Sequence, residues 1–165
     1  MMVERCSLCM PASCLAELVL LRHGIAEPRI EGRDHPDRGL TSEGLDRTEA
    51  VLAALAHRGL RLDLLVSSPF RRARETAQIA LKAGLAPLLE IDNHLSPGGD
   101  AGGLLVSLRG RVGLVGHEPD LGNLACQLTG LPRGALKLKK AGLVRLRQSC
   151  GQWQFRALLT PGLVL

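Results

Sequence analysis

Aromatic residues are almost missing from this 165-residue chain, which contains two phenylalanines, one tryptophan and no tyrosine. Proteins that bind single-stranded nucleic acid stack bases on aromatic side chains placed between basic residues. The chain has too few aromatic residues for such a series of stacking positions, so nucleic acid is not an expected partner. Leucine, valine and alanine must instead supply most of the hydrophobic core.

Long hydrophobic runs and a disulfide framework are also missing. No apolar run approaches the ~20 residues that a membrane-spanning helix requires, so no membrane partner is expected. Three of the five cysteines lie within the first fourteen residues, and Cys126 and Cys150 are far from them in the sequence. This distribution differs from the paired cysteines of small secreted proteins. The composition therefore predicts a cytoplasmic protein.

Residues 1–15 are expected to be a loose N-terminal extension, or the start is misassigned and Met10 is the true first residue. Cys6 and Cys9 have the spacing of half a zinc site, but no second cysteine or histidine pair follows, so no metal is expected. Cys14 lies in a weak match to a lipoprotein cleavage site. N-terminal sequencing distinguishes these alternatives, and a mature end at Cys14 would contradict the cytoplasmic location.

Arginine is abundant, whereas lysine is scarce. The chain has 21 basic and 16 acidic residues, a formal net charge of +5, and only four of the basic residues are lysine. The planar guanidinium group of arginine binds phosphate and carboxylate through two parallel hydrogen bonds. The composition favours a protein that binds compact anions. A non-catalytic module that binds phosphate or nucleic acid is one alternative consistent with this charge.

Short apolar segments alternate with amphipathic helical patterns along most of the chain. Strands are predicted at residues 17–22, 63–67, 88–91 and 111–116, and helices beginning near residues 41, 69 and 120. Residues 142–147 and 152–158 alternate in polarity, which predicts antiparallel strands. Residues 16–165 are therefore predicted to form a single α/β domain, in which helices cover both faces of a mostly parallel sheet with an antiparallel edge.

Arginine and histidine residues follow three of the predicted strands. Arg22 and His23 end the first strand, Arg72 lies shortly after the second, and His117 follows the fourth. Because ligands bind at the carboxyl ends of parallel strands, these four side chains are predicted to converge. Each has an ordinary explanation when taken alone, such as a solvated loop, an exposed helix face or a helix cap. Their joint placement at strand ends favours a binding site.

Two histidines among arginines can bind and transfer a phosphoryl group. The guanidinium groups neutralise the phosphate oxygens, and the N-terminus of the helix after Pro69 adds free N–H groups. A histidine nitrogen can attack phosphorus in line and form a phosphohistidine intermediate. The remaining cations then stabilise the charge on the equatorial oxygens. This chemistry requires no metal and no cofactor.

Four motifs, in this order, resemble the histidine phosphatase (phosphoglycerate mutase-like) superfamily. They are Leu-Leu-Arg22-His23-Gly24, Leu40-Thr41-Ser42-Glu43-Gly44, the segment Ser-Pro-Phe-Arg-Arg-Ala-Arg-Glu-Thr-Ala at residues 68–77, and Gly116-His117-Glu118-Pro119. The short chain and the late last motif are most similar to SixA-type phosphohistidine phosphatases. The resemblance covers about residues 17–160 and implies a phosphoglycerate mutase-like fold.

This resemblance also implies roles for individual residues. His23 is expected to be the nucleophile, and Arg22, Arg72 and His117 are expected to bind the phosphoryl group and take part in catalysis. The Ser-Pro-x-x-Arg-Ala pattern selects Arg72 rather than the neighbouring Arg71. Arg38 aligns with a basic residue of SixA-type members and is a candidate for the entrance of the pocket.

The proton donor for the leaving group is not evident from these motifs. The glutamate that serves mutase-like members has no matching motif here, and SixA-type members resemble this chain in lacking it. Phosphohistidine tolerates this loss because its N–P bond is labile and a protonated imidazole leaves readily. Asp100 is the first candidate acid, followed by Glu118 and Glu27. The alternative is that Asp100 caps the next helical segment.

The sequence thus predicts a phosphatase that acts through a phosphohistidine enzyme intermediate. Phosphohistidine on a signalling or phosphotransfer protein is the first substrate class. A small phosphorylated metabolite, either a sugar or a nucleotide, is the second, and the scarcity of aromatic residues disfavours the nucleotide. Lys137, Lys139 and Lys140 form a basic cluster that is either solvated or a docking surface for an acidic phosphoprotein.

Overall fold

The computed structural model describes residues 14–165, and within them a six-stranded sheet has the order β3-β2-β4-β1-β5-β6. Strands β1 to β4 run parallel to one another. Strand β5 is antiparallel to β1, and β6 is antiparallel to β5. The strands are β1 (Leu15–Arg22), β2 (Leu64–Ser67), β3 (Leu89–Ile91), β4 (Gly110–Gly116), β5 (Leu143–Ser149) and β6 (Gln152–Leu159). The predicted parallel sheet with an antiparallel edge is confirmed.

The described residues also form five helices, which are α1 (Ser42–His57), α2 (Arg71–Lys82), α3 (Ala101–Leu104), α4 (Asp120–Thr129) and α5 (Pro161–Val164). Two hydrophobic clusters lie on opposite faces of the sheet. One packs beneath α1, α2 and α5, and the other packs beneath α3 and α4. The predicted three-layer α/β/α arrangement is therefore confirmed.

Strand β1 shows why its sequence is continuously apolar. Leu18 and Leu20 join the cluster beneath α3 and α4, whereas Val19 and Leu21 join the cluster beneath α1 and α2. All four side chains are buried. Successive side chains of a strand point to opposite faces, so a strand covered on both faces must be apolar at every position.

The structure moves several predicted boundaries by one or two residues. β1 already begins at Leu15, inside the predicted extension, because Leu15 is buried and pairs with Gly110 of β4. Helix α2 begins at Arg71 and not at Pro69, since Phe70 keeps an extended backbone. α1 begins as predicted after Thr41, whose Oγ1 accepts a hydrogen bond from Gly44 N at 3.0 Å.

The N-terminal predictions concern residues outside the described part of the chain, which include Cys6, Cys9 and Met10. Within residues 14–165, no helix has the length and apolar character needed to cross a membrane.

Candidate active site

The carboxyl ends of β1, β2 and β4 lie side by side at one edge of the sheet. In the ladder, Arg22 pairs with Gly116, and Ser67 pairs with Val115. The residues that follow these strands are therefore neighbours, and His23 N donates to Gly116 O at 3.1 Å. Parallel register is thus what brings His23 close to His117, which is 94 positions away in the chain.

The imidazole of His23 is buried and has one free nitrogen lone pair. Nδ1 lies 2.7 Å from the carbonyl oxygen of Gly24, which can only accept, so the proton is assigned to Nδ1. Nε2 lies 3.3 Å from Nε of Arg72, which can only donate, so Nε2 is unprotonated. Burial, together with the charges of His117, Arg72 and Arg22, lowers the pKa of His23 to about 3, although the hydrogen bond to Gly24 opposes this shift. His23 is therefore neutral at pH 7, with Nε2 able to act as a nucleophile.

Gly24 allows this turn to pack directly against α1 and α2. A Cβ atom at this position would lie 2.2 Å from Thr48 Oγ1, which is far inside the contact distance of real side chains. Gly24 N donates to Thr76 Oγ1 at 3.1 Å, and Thr76 Oγ1 donates in turn to the carbonyl oxygen of Arg72 at 2.8 Å. Close packing at Gly24 and these hydrogen bonds set the position of His23 relative to Arg72.

Arg72 lies at the centre of the site, with its side chain only 3% exposed. Its Nη2 donates to Asp34 Oδ2 at 2.8 Å and lies 3.2 Å from His117 Nδ1. Its Nη1 donates to the carbonyl oxygen of His35 at 3.4 Å, in addition to the contact between Nε and His23. The guanidinium group therefore contacts both histidines and forms an ion pair with the carboxylate of Asp34.

His117 is the second buried histidine of the site. Its Nε2 lies 2.8 Å from Ser68 Oγ, and its ring centroid lies 5.1 Å from that of His23. Burial, followed by the charge of Arg72, lowers the pKa of His117 to about 4, although Asp34 opposes this shift. Arg72 Nη2 can only donate, so Nδ1 of the neutral ring is the acceptor, and the proton lies on Nε2, which donates to Ser68 Oγ.

Arg22 and Lys140 add positive charge to the same region. Arg22 is half-buried, and its Nη1 donates to the carbonyl oxygen of Leu138 at 2.8 Å. Its buried Nε has no hydrogen-bond partner among residues 14–165. Lys140 lines one cavity with Arg22, Arg38 and Arg72, and burial, followed by the charges of these three arginines, lowers its pKa.

A cavity of about 180 Å³ connects these side chains. It is lined by five cationic residues, two histidines, two carboxylates and one proline, namely Arg22, Arg29, Arg38, Arg72, Lys140, His23, His117, Asp34, Glu118 and Pro97. None of these lining residues is phenylalanine, tyrosine or tryptophan, and cationic groups outnumber carboxylates. Such a cavity suits a small anion with several oxygen atoms.

All four residues expected to act on the phosphoryl group line this cavity, as does Arg38. Arg38 is held in place by its Nε, which donates to the carbonyl oxygen of Glu27 at 2.9 Å. The structure thus brings His23, Arg22, Arg72 and His117 together. Their roles in a reaction stay predictions.

The three candidate acids lie in different places. Asp100 Oδ1 accepts from Gly103 N at 2.9 Å and caps α3, and it lines a neighbouring cavity of about 380 Å³ rather than the one around His23. Glu27 Oε2 accepts from Gly39 N at 3.3 Å. Only Glu118 lines the His23 cavity, and burial raises its pKa.

Within residues 14–165, no group of three or more histidine, cysteine, aspartate or glutamate side chains is placed to hold a metal ion.

Comparison with known sequences places the chain in a family. The model of the histidine phosphatase superfamily (branch 1) matches residues 18–96. An uncharacterized protein of Picosynechococcus sp. is 38% identical over 146 residues, which cover 84% of this chain and 88% of the relative. The chain belongs to the histidine phosphatase superfamily.

Solved structures of this superfamily share the fold. The SixA protein of Agrobacterium tumefaciens, named for phosphohistidine phosphatase activity, has a TM-score of 0.75 at 27% identity and covers 90% of this chain and 100% of its own. A protein histidine phosphatase SixA complexed with tungstate has a TM-score of 0.77 at 22% identity, covering 88% and 97%. An Escherichia coli structure named for α-ribazole-5′-P phosphatase has a TM-score of 0.68 at 18% identity, covering 89% and 97%.

In this histidine phosphatase superfamily member, the motifs did not indicate every residue of the site. Asp34 and Arg29 lie in an irregular loop, and no spacing rule connects them to the histidines. Ser68 belongs to a recognised motif, but the sequence does not reveal its contact with His117. Lys140 is visible in the sequence as part of a basic cluster, although nothing there shows that it reaches this cavity.

Proposed function

We propose that the protein is a phosphatase that transfers the phosphoryl group of its substrate to His23. In the first step, the lone pair on Nε2 attacks phosphorus, the bond from phosphorus to the leaving group breaks, and the leaving group accepts a proton. In the second step, water attacks phosphorus while its proton returns to the group that protonated the leaving group, the bond to Nε2 breaks, and inorganic phosphate is released. His23 then regains its lone pair.

The observation that carries this proposal is the state of His23 beside Arg72. A neutral imidazole with a lone pair 3.3 Å from a buried guanidinium nitrogen combines a nucleophile with a charged group that can bind the phosphoryl oxygens. Arg22 and His117 line the same cavity and can stabilise negative charge on those oxygens. Membership of the superfamily supports the same chemistry.

Arginine performs the charge neutralisation in this proposal, so the reaction needs neither a metal nor a cofactor. Arg38 then lies at the entrance, where its charge attracts the phosphoryl group. Glu118 is the proposed proton donor because its pKa is raised and it lines the cavity. Asp100 stays the second candidate, because it lines a different cavity.

The size of the cavity favours a phosphoryl group carried on a protein. Pockets for whole small ligands usually measure roughly 300–1,000 Å³, whereas this one measures about 180 Å³. It encloses a phosphoryl group and leaves the rest of the substrate outside. We therefore propose that the substrate is phosphohistidine on a signalling or phosphotransfer protein. In this proposal, residues 16–165 form a single catalytic domain, and the protein acts in the cytoplasm.

A small phosphorylated metabolite is the second candidate substrate, and one observation favours it. Lys140 lines the His23 cavity and also an adjacent cavity of about 420 Å³, which Arg47 and Lys139 line as well. The second cavity can accommodate the remainder of a small molecule that carries another acidic group.

Trapping the covalent intermediate tests the proposed chemistry. The protein is mixed with ³²P-labelled phosphohistidine protein or acetyl phosphate and quenched rapidly in base, and label on the chain is measured after gel filtration. We expect acid-labile label on the wild-type protein and on His57→Ala, whose ring is exposed on α1, but none on His23→Ala. Equal labelling of all three proteins, or no labelling and no turnover, contradicts the proposal and favours a non-catalytic binding module.

A substrate panel separates the two substrate classes. Values of kcat/KM are compared for a phosphohistidine protein, sugar phosphates and nucleoside monophosphates, using wild-type protein and the Arg47→Ala variant. If the substrate is protein-borne, the phosphohistidine protein is preferred and Arg47→Ala has little effect on it. Preference for a metabolite that is lost in Arg47→Ala supports the second candidate instead.

A further inference from the structure

Asp34 places a carboxylate directly on the arginines of the candidate phosphate site. We propose that this carboxylate occupies part of the phosphoryl site in the empty protein and competes with the incoming phosphoryl group for Arg72 and Arg38. The inference rests on the proposed function only in taking these arginines as the groups that bind the phosphoryl oxygens.

The geometry of Asp34 resembles that of a bound oxyanion. Oδ2 accepts from Nη2 of Arg72 at 2.8 Å, while Oδ1 accepts from Nη1 of Arg38. Each carboxylate oxygen thus contacts a different arginine, as two oxygens of a phosphate group would. The side chains of Arg72 and Arg38 are 3% and 11% exposed, whereas that of Asp34 is 28% exposed. Asp34 therefore lies on the solvent side of Arg72.

Arg72 keeps few donors for a ligand while Asp34 is in place. Nε faces His23, Nη1 donates to the carbonyl oxygen of His35, and Nη2 is shared between Asp34 and His117. A phosphoryl group can obtain two strong hydrogen bonds from Arg72 only by replacing some of these partners. Asp34 is the only charged acceptor among them. When a phosphate anion displaces Asp34, Arg72 loses one charge-assisted hydrogen bond and gains a similar one.

Electrostatics leads to the same conclusion. Burial opposes ionisation of Asp34, but the charges and hydrogen bonds of Arg72 and Arg38 outweigh it and hold its pKa below the ordinary value. Asp34 is thus negatively charged at neutral pH. A carboxylate beside a phosphate dianion is repelled by it, so Asp34 must weaken phosphate binding whether it leaves the arginine or remains next to it.

The same loop provides a matched control, which is Asp37. Asp37 carries the same charge, but its side chain is 80% exposed, and the ion pair recorded for it is the one with His35 at 3.8 Å. Substitution of Asp37 removes one negative charge near the cavity without changing a direct contact with Arg72 or Arg38. A difference between the two aspartate variants therefore reports the direct contact of Asp34.

Calorimetric titration with inorganic phosphate measures this competition without requiring activity. The proteins are the wild type, Asp34→Asn, Asp34→Ala and Asp37→Asn, each with its fold verified by circular dichroism. Loss of a charge-assisted contact should lower the Kd for phosphate by about tenfold in both Asp34 variants. We expect a change of less than about twofold for Asp37→Asn, because an exposed charge is screened by solvent and salt. The lower Kd of Asp34→Asn relative to the wild type should persist at high salt, because Arg72 is buried.

Three results would overturn the proposal: weaker phosphate binding in the Asp34 variants, equal effects of Asp34→Asn and Asp37→Asn, or no phosphate binding by any of the proteins. Failure of the proposed function has a different signature, which is the absence of label on His23 after mixing with a phosphoryl donor. Tighter phosphate binding in Asp34→Asn without such labelling would support competition by Asp34 and contradict catalysis by His23.

Discussion

Mild acid should destabilise this protein more strongly than its surface composition implies, because two histidines are buried in neutral form. The pKa of His23 is about 3 and that of His117 about 4 in the folded protein, whereas an unfolded chain binds these protons near pH 6.5. As the pH falls below about 6.5, protons bind to the unfolded chain first. Stability that is fully present above pH 6.5 is therefore lost progressively towards pH 3.

The expected loss follows from these values. Between pH 7 and pH 5, the binding of protons to the unfolded chain lowers the free energy of unfolding by about 2 kcal/mol for each histidine. The loss is about 4 kcal/mol for His23 and His117 together. Aspartates with lowered pKa values, such as Asp34 and Asp63, lose their contribution only at lower pH. The raised pKa of Glu118 acts in the opposite direction and reduces the total. Between pH 5 and pH 7 the histidines therefore contribute without the aspartates, and Glu118 offsets part of their effect.

Urea unfolding at pH 5, 6 and 7 measures this effect, in a buffer free of phosphate so that ligand binding does not add stability. With a urea m-value of about 2 kcal/mol/M, the loss from each histidine lowers the midpoint urea concentration of unfolding by about 1 M between pH 7 and pH 5. His23→Gln should remove about half of the difference between pH 7 and pH 5, and His57→Gln, at an exposed position on α1, should leave it in place. A wild-type difference below about 1 kcal/mol, or an unchanged difference in His23→Gln, would refute the buried neutral state.

Two substitutions test the packing and the charge of the site. Gly24→Ala should cost about 2 kcal/mol of unfolding free energy, measured by urea unfolding, because its Cβ would approach Thr48 Oγ1. The double variant with Thr48→Ala should cost less than the sum of the two single changes, and strict additivity would contradict the clash. Arg72→Lys should lower kcat/KM by about 10²–10³-fold, since lysine keeps the charge but loses the planar donor group. Arg71→Lys, at an exposed position paired with Glu75, should stay within about twofold, and equal losses would contradict the selection of Arg72.

The fold was predictable because each element leaves a local pattern in the sequence. β1 is apolar from Leu18 to Leu21 since it is covered on both faces, and α1 begins directly after the cap residue Thr41. The first residue of β1 was less predictable, because Leu15 belongs to the strand only through its pairing with Gly110. A partner 95 residues away leaves no signal near Leu15.

The site was predictable to the extent that strand ends and motifs mark it. Arg22, His23 and His117 follow strands directly, so the topology of a parallel sheet alone predicts their proximity. Asp34 has no such marker, because its contact with Arg72 depends on the course of an irregular loop. Asp100 was open to two interpretations in the sequence, and the hydrogen bond from Gly103 N shows it as a cap of α3.

The sequence by itself determined the order of strands and helices, the family to which the chain belongs and the residue types that meet at the sheet edge. These follow from periodicity and motifs, which are local properties of the chain. Tertiary structure decided the neutral state of His23, the alignment of Nε2 with Arg72 and the presence of the Asp34 carboxylate on the same guanidinium group. Burial and distances between remote residues set these properties, and neither exists until the chain is folded.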